Sequence, residues 1–217
     1  LRHLKVQTKI KSFLSQSLFL EIQIVIGVLS KILQDSLIIF TTGNISYALY
    51  AISKIFGSII TVISKSMVRP LNPFFWRINI DNKKETSVIY VSVFIYACAL
   101  IFSIFFVQHV ETFIVYINSE YIGVSKILFW SVLLGAATAS NHLVVSLLSG
   151  KMLIKFISIA SAIYHIINTG SLLIIYYYFM SPSFITNILK LNIILLTVYT
   201  VTLLILNYYK LYFKDNE

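Results

Sequence analysis

The sequence predicts an all-α integral membrane protein with six spanning helices, and three observations carry that prediction. Of the 217 residues, 58% are hydrophobic and 12% are charged, with a mean hydropathy of +0.87. A soluble domain carries roughly 45–50% apolar and ~25% charged residues, so there is too little charge to cover a water-facing surface of this size. The apolar residues gather in six continuous stretches, each long enough for the ~20 residues that a spanning helix needs. Finally, positive charge alternates between successive connections. This composition excludes a soluble enzyme, a disordered chain and a fibrous protein. The continuous runs exclude a transmembrane β-barrel, whose strands alternate over segments of ~10 residues. Cys98 is the one cysteine, which leaves no disulfide framework and no cysteine-based metal site.

The stretches run at about 13–41, 46–68, 87–108, 124–148, 153–180 and 186–209, between tails at 1–12 and 210–217. The first is too long for a signal-peptide core, and no small-residue cleavage site follows it. The chain begins with Leu1, which reads as part of a longer protein. The N-terminal tail holds Arg2, Lys5, Lys9 and Lys11; the turn Thr41-Thr42-Gly43-Asn44-Ile45 has no charge. The second connection has Arg69, Arg77, Lys83 and Lys84; the third has Glu111 and Glu120 and no Lys or Arg. Lys151 stands in the fourth, Ser181-Pro182-Ser183-Phe184 in the fifth is uncharged, and the C-terminal tail has Lys210 and Lys214. The positive-inside rule then puts both termini and the second and fourth connections in the cytoplasm, and an even number of crossings agrees. The net charge of +9 is thereby topological and implies no nucleic-acid partner. The Pro-broken segment from Arg69 to Arg77, with Phe74, Phe75 and Trp76, suits the inner headgroup region, and Tyr176, Tyr177 and Tyr178 an outer aromatic belt.

The polar residues inside the spans are the informative ones. Lys126 and Lys190 lie about a turn from the outer ends of their helices, where a long side chain snorkels to the headgroups. Glu21, Lys31, Asp35 and Lys54 are deeper, and a charge there costs at least ~2.5 kcal/mol on insertion scales. Counted from Gly43 at ~1.5 Å per residue, Lys31 and Lys54 both sit roughly 15–18 Å below the outer surface, close to the midplane. Asp35 shares a helix face with Lys31 at i, i+4. Two readings are open: a buried ion network that fixes helix packing, or a cationic site for an anionic substrate with Asp35, and more remotely Glu21, in ion coupling. Polar stripes at helical spacing (Tyr47, Tyr50, Lys54, Gly57, Ser58, Thr61; Ser131, Gly135, Thr138, His142; Ser158, Ser161, His165, Asn168) suggest one wet face per helix, although small and hydroxylated residues also mediate ordinary packing in lipid. His142 and His165 have neither the spacing nor the carboxylate company of a metal site. They read as hydrogen-bonded core histidines, with a proton relay as the other reading. No metal or cofactor is expected.

The run Gln34-Asp35-Ser36-Leu37-Ile38-Ile39-Phe40, then Gly43, Tyr47 and Tyr50-Ala51-Ile52-Ser53-Lys54, then Pro70 and Pro73, resembles the second half of bacterial polysaccharide flippases. Tyr116-Ile117-Asn118-Ser119-Glu120-Tyr121 is similar to an element that precedes a later helix in the same family. The family is the O-antigen (Wzx-type) branch of the multidrug/oligosaccharidyl-lipid/polysaccharide exporter superfamily, and the resemblance spans most of 13–209. It implies one bundle of a two-bundle inner-membrane transporter, N-in and C-in, completed by a preceding six-helix bundle of the same chain. It implies no enzymatic step, undecaprenyl-pyrophosphate-linked oligosaccharide as substrate, and a polysaccharide polymerase as a further partner. Depth counting for Lys31 and Lys54, and the polar stripes for Tyr50, His142 and Asn168, give the candidate cavity residues, with Asp35 and Glu21 for ion coupling. The alternatives are a membrane-embedded O-antigen polymerase or glycosyltransferase fragment, against which the short, arginine-free outer connections count, and a drug or ion exporter of the same fold.

Orientation is tested with single cysteines in a chain whose Cys98 has been replaced. Cysteines at Gly43, Ser119 and Ser183 should react with an impermeant thiol reagent from outside, and those at Asn82 and Lys151 should not. The opposite pattern overturns the orientation, and a mixed one the helix count.

Overall fold

The computed structural model describes residues 2–68, 82–117, 119–121, 123–150, 154–178 and 183–214. Helix runs from Arg2 to Val68 with one break, at Gly43, whose φ of 76° and ψ of 178° are not helical. A side chain at that φ is strained and glycine carries none, which fixes the reversal there. The two arms are α1 (2–42) and α2 (44–68). They fold back on each other: Gln34 and Tyr50 hydrogen-bond at 3.0 Å, whereas a straight helix would hold those positions ~24 Å apart. The helix α3 (Asn82–Ile117), a short 3-10 turn (Ser119–Tyr121), α4 (Val124–Gly150), α5 (Ile154–Tyr178) and α6 (Phe184–Lys214) follow.

Every described element is helical, and each of the six long helices overlaps an apolar stretch read from the sequence, while the 3-10 turn lies between the third and fourth stretches. The third is longer than expected: α3 continues past 108 to Ile117, so Glu111 lies in helix and not in a loop. The cause is local. The apolar run Phe113-Ile114-Val115-Tyr116-Ile117 prolongs the helix, and the Glu111 carboxylate accepts the Gly123 N–H at 2.7 Å, tying the end of α3 to the entry of α4. Gly123 has φ 90° and supplies that turn. Helix also extends over the segments read as tails, back to Arg2 and on to Lys214. The Pro-broken segment 69–77 and Lys151 lie outside the described residues. Four helical stretches among the described residues are long and apolar enough to cross a membrane: Ser17–Ile63, which Gly43 divides, Val124–Ser146, Phe156–Tyr177 and Phe184–Leu206.

The central helix is α4. It packs against the α1–α2 hairpin, α3 and α6, while α5 packs against the hairpin and α6. Of its apolar stretch 56% is buried, against 17–33% in the other three. Val132, Ala136 and Ala139 have no exposed surface. Small residues allow this, because helices in lipid gain their association energy from close van der Waals approach. At the α2–α4 crossing a Cβ on Gly57 would overlap the Ser131 carbonyl, and a Cβ on Gly135 the Gly57 carbonyl. The Thr61 hydroxyl donates to the Gly135 carbonyl at 3.3 Å in the same crossing. Elsewhere Gly27 lies against the His165 ring, Thr169 donates to Ser30 at 2.8 Å, and Tyr164 stacks on Tyr199 with ring centroids 5.1 Å apart. On the outside, Val25, Phe94, Ile104, Ile166 and Val198 are exposed, a surface suited to hydrocarbon.

The backbone contact makes a sharp prediction. Gly57→Ala or Gly135→Ala should destabilise the purified protein in detergent by about 1–3 kcal/mol through overpacking. Gly170→Ala, with nothing within 4 Å of the new methyl, should be neutral or stabilising by up to ~1 kcal/mol, since alanine is the better helix former. Thermal unfolding reads both, and equal midpoints for all three variants would refute the close crossing.

Candidate functional site

Tyr50, Lys54, Ser58 and Thr61 recur at helical spacing and share one face of α2. The reversal at Gly43 lays that helix against α1, so Lys54 meets Asp35 and Tyr50 meets Gln34. The Lys54 ammonium lies 3.0 Å from Asp35 Oδ1 and 3.4 Å from Oδ2. It also sits over the Tyr50 ring, 5.0 Å from its centroid, a placement that the negative ring face favours. The pair is half-sheltered: 40% of the Lys54 side chain and 27% of Asp35 remain exposed. Tyr50 itself is only 2% exposed. Its hydroxyl accepts from Gln34 Nε2 at 3.0 Å, and Gln34 Oε1 accepts from Asn192 Nδ2 of α6 at 3.3 Å. A polar chain thus joins three helices, as groups without water to bond must do.

Beside this network lies a half-open cleft of about 180 Å³ between α2 and α4, with Leu189 of α6 also lining it. Its exposed surface is mainly apolar, and the polar residues along it are Tyr50, Lys54, Ser58, Thr61, Ser131 and Thr138. Asp35 is not part of the lining, so the ammonium stands between the carboxylate on one side and the cleft on the other.

Among the residues singled out from the sequence, Lys54, Asp35 and Tyr50 come together. Lys31 does not join them: it is exposed on α1 and makes no ion pair among the described residues. The geometry is one ammonium against one carboxylate, where depth counting had placed two ammoniums. Glu21 is exposed, roughly 21 Å along α1 from Asp35. His142 is half-buried on α4 and Asn168 is 5% exposed on α5; neither lines the cleft. Lys190 caps the Trp130 ring, 4.8 Å from its centroid, which suits an anchoring role at the helix end. No group of three or more His, Cys, Asp or Glu side chains that could hold a metal occurs among the described residues. The sequence reading missed Asn192 altogether and used Gln34 only as part of a motif. Their signal was available: each is an amide inside an otherwise apolar span, where an unpaired polar group is costly.

Comparison with known proteins adds no relative: no family model, no curated protein and no solved structure matches this chain.

The ion pair is expected to behave as a unit. Lys54→Met strands Asp35 and should cost about 1–3 kcal/mol, less than a fully buried pair because both side chains are partly exposed. Adding Asp35→Leu should recover part of that loss, since no charge is then left in the span. Unfolding in detergent measures the cycle, and strictly additive losses would refute the coupling.

Proposed function

We propose that this chain is one six-helix bundle of an inner-membrane transporter. It flips undecaprenyl-pyrophosphate-linked oligosaccharide units for O-antigen or capsule assembly. The observation that supports the reading is the Lys54–Asp35 pair beside a cleft that Lys54 and several hydroxyl side chains border, with Lys54 about 16 Å of helix from the Gly43 turn and so near the middle of a ~30 Å hydrocarbon layer. Ionisable groups at such depth mark substrate and ion pathways by default. The sugar head of such a lipid is too polar to cross hydrocarbon, so a water-filled cavity shelters it while the prenyl chain stays in lipid. The cationic group attracts the diphosphate, polar helix faces outside the cleft meet the sugars, and rocking against a second bundle alternates access. No covalent step is required, and the protein works as a carrier and not as an enzyme. Both termini face the cytoplasm, and the partners are the lipid-linked cargo, the second bundle and a polysaccharide polymerase.

The test is surface polysaccharide in a flippase-null strain, normalised to membrane protein level. Lys54→Ala should lose most of the signal, and Lys54→Arg should keep part of it, because the charge persists while donor geometry changes. Normal polysaccharide from a well-expressed Lys31→Ala, Lys54→Ala double variant would refute the cationic mechanism.

A further inference from the structure

The cleft's hydroxyls are not equivalent. Ser58 bonds the Ile55 carbonyl at 2.7 Å, Thr138 the Leu134 carbonyl at 2.8 Å, and Thr61 the carbonyls of Gly57 and Gly135 at 3.4 and 3.3 Å. Their protons are therefore already used. Ser131 differs: its Oγ is buried, the residue is only 3% exposed, and the oxygen has no partner. A buried hydroxyl without a partner costs free energy, and that cost is recovered when a ligand accepts its proton. Lys54 lines the same cleft with up to three N–H donors, and Asp35 engages it from outside the cleft.

We propose that the cleft is a phosphate-ester site in which Lys54 and Ser131 are the two donors and Asp35 is a resident counter-ion that the incoming anion must displace. The proposal rests on the transport reading and goes beyond it by naming the second donor and the competitor. The half-open cleft of about 180 Å³ suits one phosphate or diphosphate group, and an attached oligosaccharide unit extends beyond it. Competition serves transport. While the cleft is empty, Asp35 neutralises Lys54 and no lone charge stands in the membrane. When the anion has engaged, the returning carboxylate helps to expel it, which keeps binding weak enough for release. Asn192, Gln34 and Tyr50 hold the ring beneath the ammonium, so the same chain reports the position of Lys54 to α6.

The experiment is equilibrium binding to the whole natural chain in zwitterionic-lipid nanodiscs, with inorganic pyrophosphate and farnesyl diphosphate as separate probes. Asp35→Asn should bind both about three- to tenfold more tightly, because a half-sheltered competitor has been neutralised. Ser131→Ala should bind both about tenfold more weakly, as expected for one hydrogen bond to a charged group. Lys54→Met should bind neither. Asp35→Ser, smaller and equally neutral, must show the same sign as Asp35→Asn and replaces it should that variant not insert. Unchanged or weaker binding without Asp35 overturns the competition, and unchanged binding in Ser131→Ala overturns the donor assignment. A gain confined to farnesyl diphosphate also overturns the proposal, since the prenyl chain would then be what is recognised. Anion binding as described, with polysaccharide export indifferent to Lys54, removes the flipping function and leaves this site standing. Export that depends on Lys54 with unchanged affinity in Asp35→Asn does the reverse.

Discussion

Lys54 and Asp35 meet only because the chain turns back at Gly43, and much of the arrangement follows from that contact. A lone ammonium or carboxylate at this depth would face hydrocarbon at a cost of several kcal/mol. The hairpin removes that cost by laying α1 against α2 in one register, with Asp35 opposite Lys54 and Gln34 opposite Tyr50. A slip by one residue along either helix would rotate a polar side chain by about 100° toward lipid. The pair and its amide neighbours therefore specify a register that the apolar residues around them leave open, because hydrocarbon side chains pack almost equally well in several registers.

With the hairpin fixed, α4 becomes the element on which the other helices meet. Its face toward α2 is nearly bare backbone at Gly135, and Gly57 answers it with bare backbone of its own. Such proximity brings Thr61 within reach of a carbonyl on the neighbouring helix. It also puts Ser131 at the edge of the cleft, where the crossing leaves its hydroxyl without a bonding partner. The tight packing and the cleft thus adjoin each other, with Gly57 and Gly135 of the crossing among the residues that line the cleft.

The amide chain Asn192–Gln34–Tyr50 gives the site a link to α6. Asn192 retains a buried carbonyl oxygen without a partner, as does Asn168 on α5. The interior of this bundle thus holds unused acceptors, an arrangement more costly in lipid than in a soluble core because water is scarce. Residual polarity of this kind accords with a protein that exchanges partners as it works, in which the bonds seen in one state are not those of another.

Composition and hydropathy settled the helical class and the approximate places of the helices, since the ~30 Å hydrocarbon layer imposes a length that a one-dimensional count can read, although four stretches among the described residues, and not six, are long and apolar enough to cross it. Depth counting put Lys31 and Lys54 at one level and Asp35 one turn nearer the outside, because rise per residue is the same in every α-helix. Azimuth was beyond its reach. Lys31 and Lys54 are at matched depth, yet Lys31 points out from α1 while Lys54 turns inward to Asp35. His142 and Asn168 sit on polar stripes and still miss the cleft. Asn192, an amide that lies on none of the polar stripes, closes the network because α6 meets α1 at its level. Which face of a helix meets which neighbour depends on contacts between residues far apart in the chain. The sequence by itself thus determined what must be buried and how deep, while only the tertiary packing decided which polar groups meet, through steric contacts that no local periodicity encodes.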